Sequence, residues 1–191
     1  GVLINRVVKS KTAESSWKRA ASAVREQIKK TLLDLVLVKE PLLRIRKNLA
    51  DCIKEIIVSE PEAPWSELVP HIFSITACPQ STTQKETLMW LLCKVMISNT
   101  KYADEVLDQN REALGNIIKE GLTDMPCHEA AIELVTVTIL TLDRGGDETQ
   151  PKLEIQKAAL KVQAGNELQP LLPLLEAALQ NLANSDAEAF K

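Results

Sequence analysis

Aromatic residues make up only 3% of this chain and glycines number six, so neither rings nor tight turns can dominate its architecture. A core with so few rings has to be assembled from Leu, Ile, Val and Ala, which favours an all-α fold over a sheet protein. No glycine-rich phosphate loop is present, and Gly145-Gly146 alone is a loop signal. No G-x-S-x-G, H-E-x-x-H or C-x-x-C occurs, and His71 and His128 have no ligand spacing to any cysteine. The pairs Asp104/Glu105 and Asp147/Glu148 read as solvated faces or helix starts. We therefore expect no enzyme activity, no metal and no cofactor in this chain.

The other absences concern the compartment. No stretch of about 18 uncharged apolar residues occurs, so no membrane insertion is expected. No leader pattern opens the chain. Gly1 to Val8 instead reads as the second half of a helix under way, and the expectation is a fragment of a longer protein. Cys52, Cys78, Cys93 and Cys127 stand apart in helix-like contexts and read as buried free thiols in a reducing compartment.

The formal net charge of -3 hides an asymmetry. Residues 1–60 hold 13 Lys or Arg against 7 Asp or Glu, whereas residues 61–191 hold 10 against 19. An acidic surface over two thirds of the chain argues against direct nucleic-acid binding and suits a basic partner. Lys29-Lys30 and Arg44-Ile45-Arg46-Lys47 are the densest basic sites, and Trp17, Trp65 and Trp90 are too scattered to make a stacking platform.

What the chain does have is recurrence. Amphipathic helices pair through short Pro- or Thr-marked joints, and the unit returns about every forty residues, within the range of HEAT-type repeats. The first pair runs from Ser15 or Ser16 to Val38 and from Leu42 to Val58. Its inward stripes are Val24, Ile28, Leu32 and Leu35, then Leu42, Ile45, Leu49, Cys52, Ile53 and Ile56. Glu60 to Pro70 forms the clearest joint, with Ser66 as a cap and Trp65 wedging the next helix.

The second pair is Trp65–Ala77 with Thr83–Ser98. The third is Ala103–Leu122 with Cys127–Leu142, facing Leu107, Leu114, Ile117 and Ile118 to Ile132, Val135, Ile139 and Leu142. Gly121 to Pro126 supplies the turn. A short helix over 153–162 and a last one over Glu167–Ala183 complete the reading. Leu171-x-Pro173-x-Leu175 repeats the pattern of Leu68-x-Pro70-x-Ile72.

The expected fold is thus an α-α superhelix, a single HEAT-repeat solenoid fragment over 1–191 with about three and a half to four hairpins. Its units are 1–10 (partial), 15–58, 65–98, 103–142 and 165–191 (partial), with 144–164 inserted.

Ile28-Lys29 with Leu32-Leu33, Ile45-Arg46-Lys47 with Ala50 and Ile53, and Glu60-Pro61 leading to Trp65-x-x-Leu68-x-Pro70 together resemble the amino-terminal HEAT region of importin-β (karyopherin-β) nuclear transport receptors. Gly121-Leu122-x-Asp124 with Ala130-Ala131, and Leu171-Leu172-Pro173 before Asn184-Ser185-Asp186, look like the subgroup that imports ribosomal proteins and histones. The 144–164 insertion departs from that pattern.

The resemblance implies a receptor shuttling between cytoplasm and nucleus, binding basic cargo proteins, Ran-GTP and Phe-Gly nucleoporins. In the family, second helices line the face where Ran docks. Carried onto this chain, that points to the helices of residues 42–58, 83–98 and 127–142, with Lys47, Asp51, Lys54 and Glu55 as candidate contacts. The alternative is a structural HEAT scaffold subunit of a multiprotein complex.

Overall fold

The computed structural model describes residues 16–39, 42–61, 64–76, 81–143 and 169–189. The expected insertion at 144–164, the helix over 153–162, Cys78 and the first partial unit lie outside the described residues. Among the described residues every regular element is helical, and the fold class is all-α. We number nine α-helices: α1 Ser16–Arg19, α2 Ser22–Asp34, α3 Leu43–Ser59, α4 Leu68–Thr76, α5 Thr82–Ser98, α6 Thr100–Gln109, α7 Arg111–Thr123, α8 His128–Asp143 and α9 Leu172–Ala189. A π-helical stretch, Leu35–Lys39, extends α2, and 3₁₀ turns at Met125–Cys127 and Gln169–Leu171 lead into α8 and α9.

Three long helices form a row. α5 packs against α3 on one side and α8 on the other, while α7, α6 and α4 cover the flank and α9 closes against α7 and α8. The same burial pattern recurs along the row. Leu49, Cys52, Ile53 and Ile56 of α3 are matched by Leu88, Leu91, Leu92 and Val95 of α5 and by Ala131, Leu134, Val135 and Thr138 of α8, all buried. Thr138 tolerates the core because its hydroxyl donates to the Leu134 carbonyl at 2.7 Å. Burying each such Leu, Ile or Val is worth about 1.5–3 kcal/mol, so this ladder carries the fold.

Local chemistry explains the helix ends. Ser81 starts α5 with a capping box: the Gln84 N–H donates to the serine hydroxyl while the Ser81 N–H donates to the Gln84 side chain. The Gln84 amide also donates to the Leu37 carbonyl, satisfying an acceptor in the π-helical stretch. Asn99 caps α6 through the Lys101 N–H.

Several expectations need correcting. The first helix is not continuous: Ala21, extended at φ -57 and ψ 145, separates α1 from α2, so that Trp17 reaches the core. The expected 103–122 helix is two, broken at Asn110, whose φ of -125 lies outside the helical range and whose side chain donates to the Glu105 carbonyl.

Val24, Leu42, Ile45 and Ile139 do not face inward; they are exposed, because each sits where no neighbouring helix covers it. On α3 the packed stretch begins at Arg46, which belongs to one of the densest basic sites of the sequence and is found buried. α4 starts only at Leu68, with Ser66 in the turn before it. Gly121 is not turn chemistry but lies inside α7. A Cβ there would sit 2.5 Å from the Met89 sulfur and 2.9 Å from the Ala131 Cβ, so the missing side chain lets α7 press onto α5 and α8. The last helix begins at Leu172 and reaches Ala189, with Leu172 exposed.

Candidate protein-binding face

Lys47, Asp51, Lys54 and Glu55 recur at helical spacing on α3, so they share one stripe that leaves the buried residues of α3 on the other sides. The structure places all four half-buried. It brings two of them into contact with α5. The Lys47 ammonium lies 3.5 Å from the Glu86 carboxylate and 4.3 Å from the centre of the Trp90 ring. Asp51 accepts Lys94 at 3.3 Å. Trp90 in turn donates its indole N–H to Glu86 at 3.4 Å, holding the ring against the lysine.

These contacts make rungs across the first two helices of the row. At the partly exposed end of the range such ion pairs and cation–π contacts are each worth about 0.5–1 kcal/mol. They fix side-chain position more than they stabilise the fold. Lys54 and Glu55 continue the stripe one turn beyond Asp51.

The third helix supplies Glu129 and Glu133 on the corresponding stripe. Burial raises the Glu133 pKa, and Glu129 adds to that, while Lys94 and Lys47 pull it back. One surface therefore runs from the mixed charges of Lys47, Asp51, Lys54 and Glu55 on α3, past Glu86 and Lys94 on α5, to the carboxylates of α8. At its far end Val58, Ile97 and Leu140 occupy equivalent positions on the three helices and are 53%, 44% and 58% exposed.

The described thiols are buried in the core, and burial pushes Cys127 up to about 11, with Asp124 and Glu86 contributing. Cys93 is raised further, again by burial first and then by Glu133. Thiolates are the nucleophiles and the metal ligands, so these groups are chemically quiet. His71 is on the helix surface, whereas His128 is buried at the start of α8 with its Nδ1 unpaired. Among the described residues no group of three or more His, Cys, Asp or Glu could hold a metal.

A second polar cluster among the described residues lies elsewhere and has no local sequence signature. Glu60, at the end of α3, accepts the Trp17 indole N–H at 3.0 Å, Arg25 at 2.6 Å and Lys29 at 2.9 Å. Lys29 also reaches Glu26 at 3.2 Å and lies 5.6 Å from the Trp65 ring centre. Trp65, expected to wedge the start of its helix, is buried but lies in the segment before α4, which begins at Leu68. Burial disfavours both charges, yet they outweigh it together. Lys29 titrates above the ordinary lysine value, and Glu60 is held below the ordinary carboxylate value by Lys29, Trp17 and Arg25.

Comparison with protein-family models, curated proteins and solved structures finds no match for this chain.

Proposed function

We propose that this chain is part of a nuclear transport receptor of the importin-β kind, an α-solenoid that binds basic cargo and gives it up to Ran-GTP. The observation that carries the reading is the row of α3, α5 and α8, three side-by-side helices with one repeated burial pattern and one shared charged face. Lys47, Asp51, Lys54 and Glu55 belong to that face and are the proposed Ran contacts.

The mechanism follows from stacking. Repeats that touch only their neighbours can change pitch through small shifts at many interfaces. Two ligands that prefer different pitches then oppose each other with a coupling of about 1–3 kcal/mol. Basic cargo would be drawn to the acidic surface of residues 61–191, and Phe-Gly nucleoporins would enter apolar gaps between the outer helices. The receptor would shuttle between cytoplasm and nucleus.

The test is a pull-down with Ran in its GTP and GDP forms. Retention on the GTP form alone, weakened about tenfold by Lys47→Glu with Lys54→Glu, is expected from loss of charge contacts at an interface. Equal binding to both forms, or to neither, sinks the reading.

A structural scaffold is the second reading, and one observation favours it. Lys47 and Asp51 are already engaged with Glu86, Trp90 and Lys94, so their charges serve the internal packing of the row. A scaffold would ignore Ran in either state.

A further inference from the structure

α2 changes character halfway along its length. From Ser22 to Gln27 its residues are exposed apart from Arg25, which is half-buried, and Val24 is an exposed apolar residue. From Leu32 onward it enters the core through Leu32, Leu33, Val36 and Leu37. Between the halves, Thr31 turns its hydroxyl back onto the Gln27 carbonyl at 2.8 Å, an arrangement that competes with the helix ladder. The π-helical turns of Leu35–Lys39 follow at once. The close neighbours of α2 are that π-helical stretch and α3.

What holds the outer half down is therefore a short set of contacts. Trp17 is buried and gives its indole N–H to Glu60, and Arg25 and Lys29 give their charges to the same carboxylate. Apart from the Trp17 ring and the partly buried Ile28, the segment offers the core little apolar surface. Glu60 belongs to the joint after α3, not to α2, so one side chain on a connecting segment receives Trp17, Arg25 and Lys29 of the arm together.

We infer that residues 17–30 form a hinged arm latched by Glu60, which swings away as a unit about Thr31 while the row of α3, α5 and α8 stays folded. Opening breaks no ladder hydrogen bond of the row. It uncovers Glu60 and the face of Trp65 on which Lys29 lies, presenting an acidic group beside an aromatic ring. A fold built from neighbour contacts can open locally at a half-exposed segment, and here that segment carries its own release point.

Hydrogen exchange followed by mass spectrometry on the 191-residue chain tests this. In the wild-type protein, amides from Ser22 to Lys30 should exchange at least about tenfold faster than those from Leu49 to Ile57. Glu60→Gln, which removes the charge but keeps the shape, should speed exchange of the arm about tenfold more. Exchange in α5 and α8 should stay within about twofold of wild type. Lys29→Met should reproduce the effect from the other side of the ion pair. Uniform acceleration in all helices, no acceleration in the arm, or loss of helical circular dichroism in both variants would each overturn the inference. The first and last would make Glu60 a support of the whole fold instead of a latch.

Discussion

The Trp65 backbone N–H donates to the Tyr102 hydroxyl across 2.6 Å, tying the entrance of α4 to α6 through a fully buried hydrogen bond. Burial raises the Tyr102 pKa, so the phenol stays protonated through neutral pH, while its oxygen remains the acceptor. Tyr102→Phe keeps the ring and orphans the amide. Leaving a buried donor unpaired costs about 1–3 kcal/mol, and we expect a loss near the middle of that range in urea unfolding. An unchanged midpoint would mean that water replaces the hydroxyl.

Glu60 and Lys29 set opposite ends of a stability profile. Glu60 titrates below its ordinary value of 4.5 in the folded chain. Its contribution is complete above that value and fades as pH falls through the folded pKa. Lys29 titrates above 10.5, so its contribution is complete below that value and is lost as pH rises through its folded pKa. Glu133, with a raised pKa, works the other way and slightly favours the folded form as it protonates. The expected result is an acid limb that flattens in Glu60→Gln, with a loss at neutral pH of about 1.4 kcal/mol, the same tenfold that exchange of the arm would show. Denaturant titrations across pH would measure both.

Gly121→Ala sets two effects against each other. Alanine favours a helix interior by about 1 kcal/mol over glycine. Against this, the new methyl would press on the Met89 sulfur and on the Ala131 Cβ. The sulfur is the end of a pliable side chain; the Ala131 Cβ cannot retreat unless α8 moves. Overpacking costs about 1–3 kcal/mol, so we expect a net destabilisation of up to about 2 kcal/mol. Combined with Met89→Ala, the penalty should shrink below the sum of the two single changes, which a double-mutant cycle would read directly.

Cys52, Cys93 and Cys127 should resist a thiol reagent at mildly alkaline pH until denaturant is added, since all three are buried. Cys127 is pushed up to about 11, and its thiol donates to the Thr82 carbonyl at 3.6 Å. Peptide mapping of the modified sites checks this. Labelling of Cys127 in the native protein would show that the start of α8 opens.

The sequence made the buried ladders of α3 and α5 legible, because apolar residues at helical spacing identify a face without reference to neighbours. Leu49, Cys52, Ile53 and Ile56, or Leu88, Leu91, Leu92 and Val95, needed nothing else. On α8 the expected stripe of Ile132, Val135, Ile139 and Leu142 shares only Val135 with the buried Ala131, Leu134, Val135 and Thr138. Val24, Leu42, Ile45 and Ile139 misled for the same reason. Their spacing is right, but their burial depends on where the adjacent helix stops.

The break at Asn110 was hidden because a single asparagine in a long amphipathic run is weak punctuation. Neither could periodicity show that Arg46 lies inside, or that Lys47 and Asp51 pair with groups on another helix. The Trp17–Glu60–Lys29 cluster brings the distant Glu60 to two consecutive helices, and no local pattern announces such a meeting.

α5 has company on both of its long flanks, whereas α3 and α8 meet it from opposite sides. A disturbance entering at one edge of the row must cross this middle helix to reach the other. Substitutions at Leu91 or Leu92 would therefore be felt at both margins at once, and α5 governs whether the protein responds as one piece.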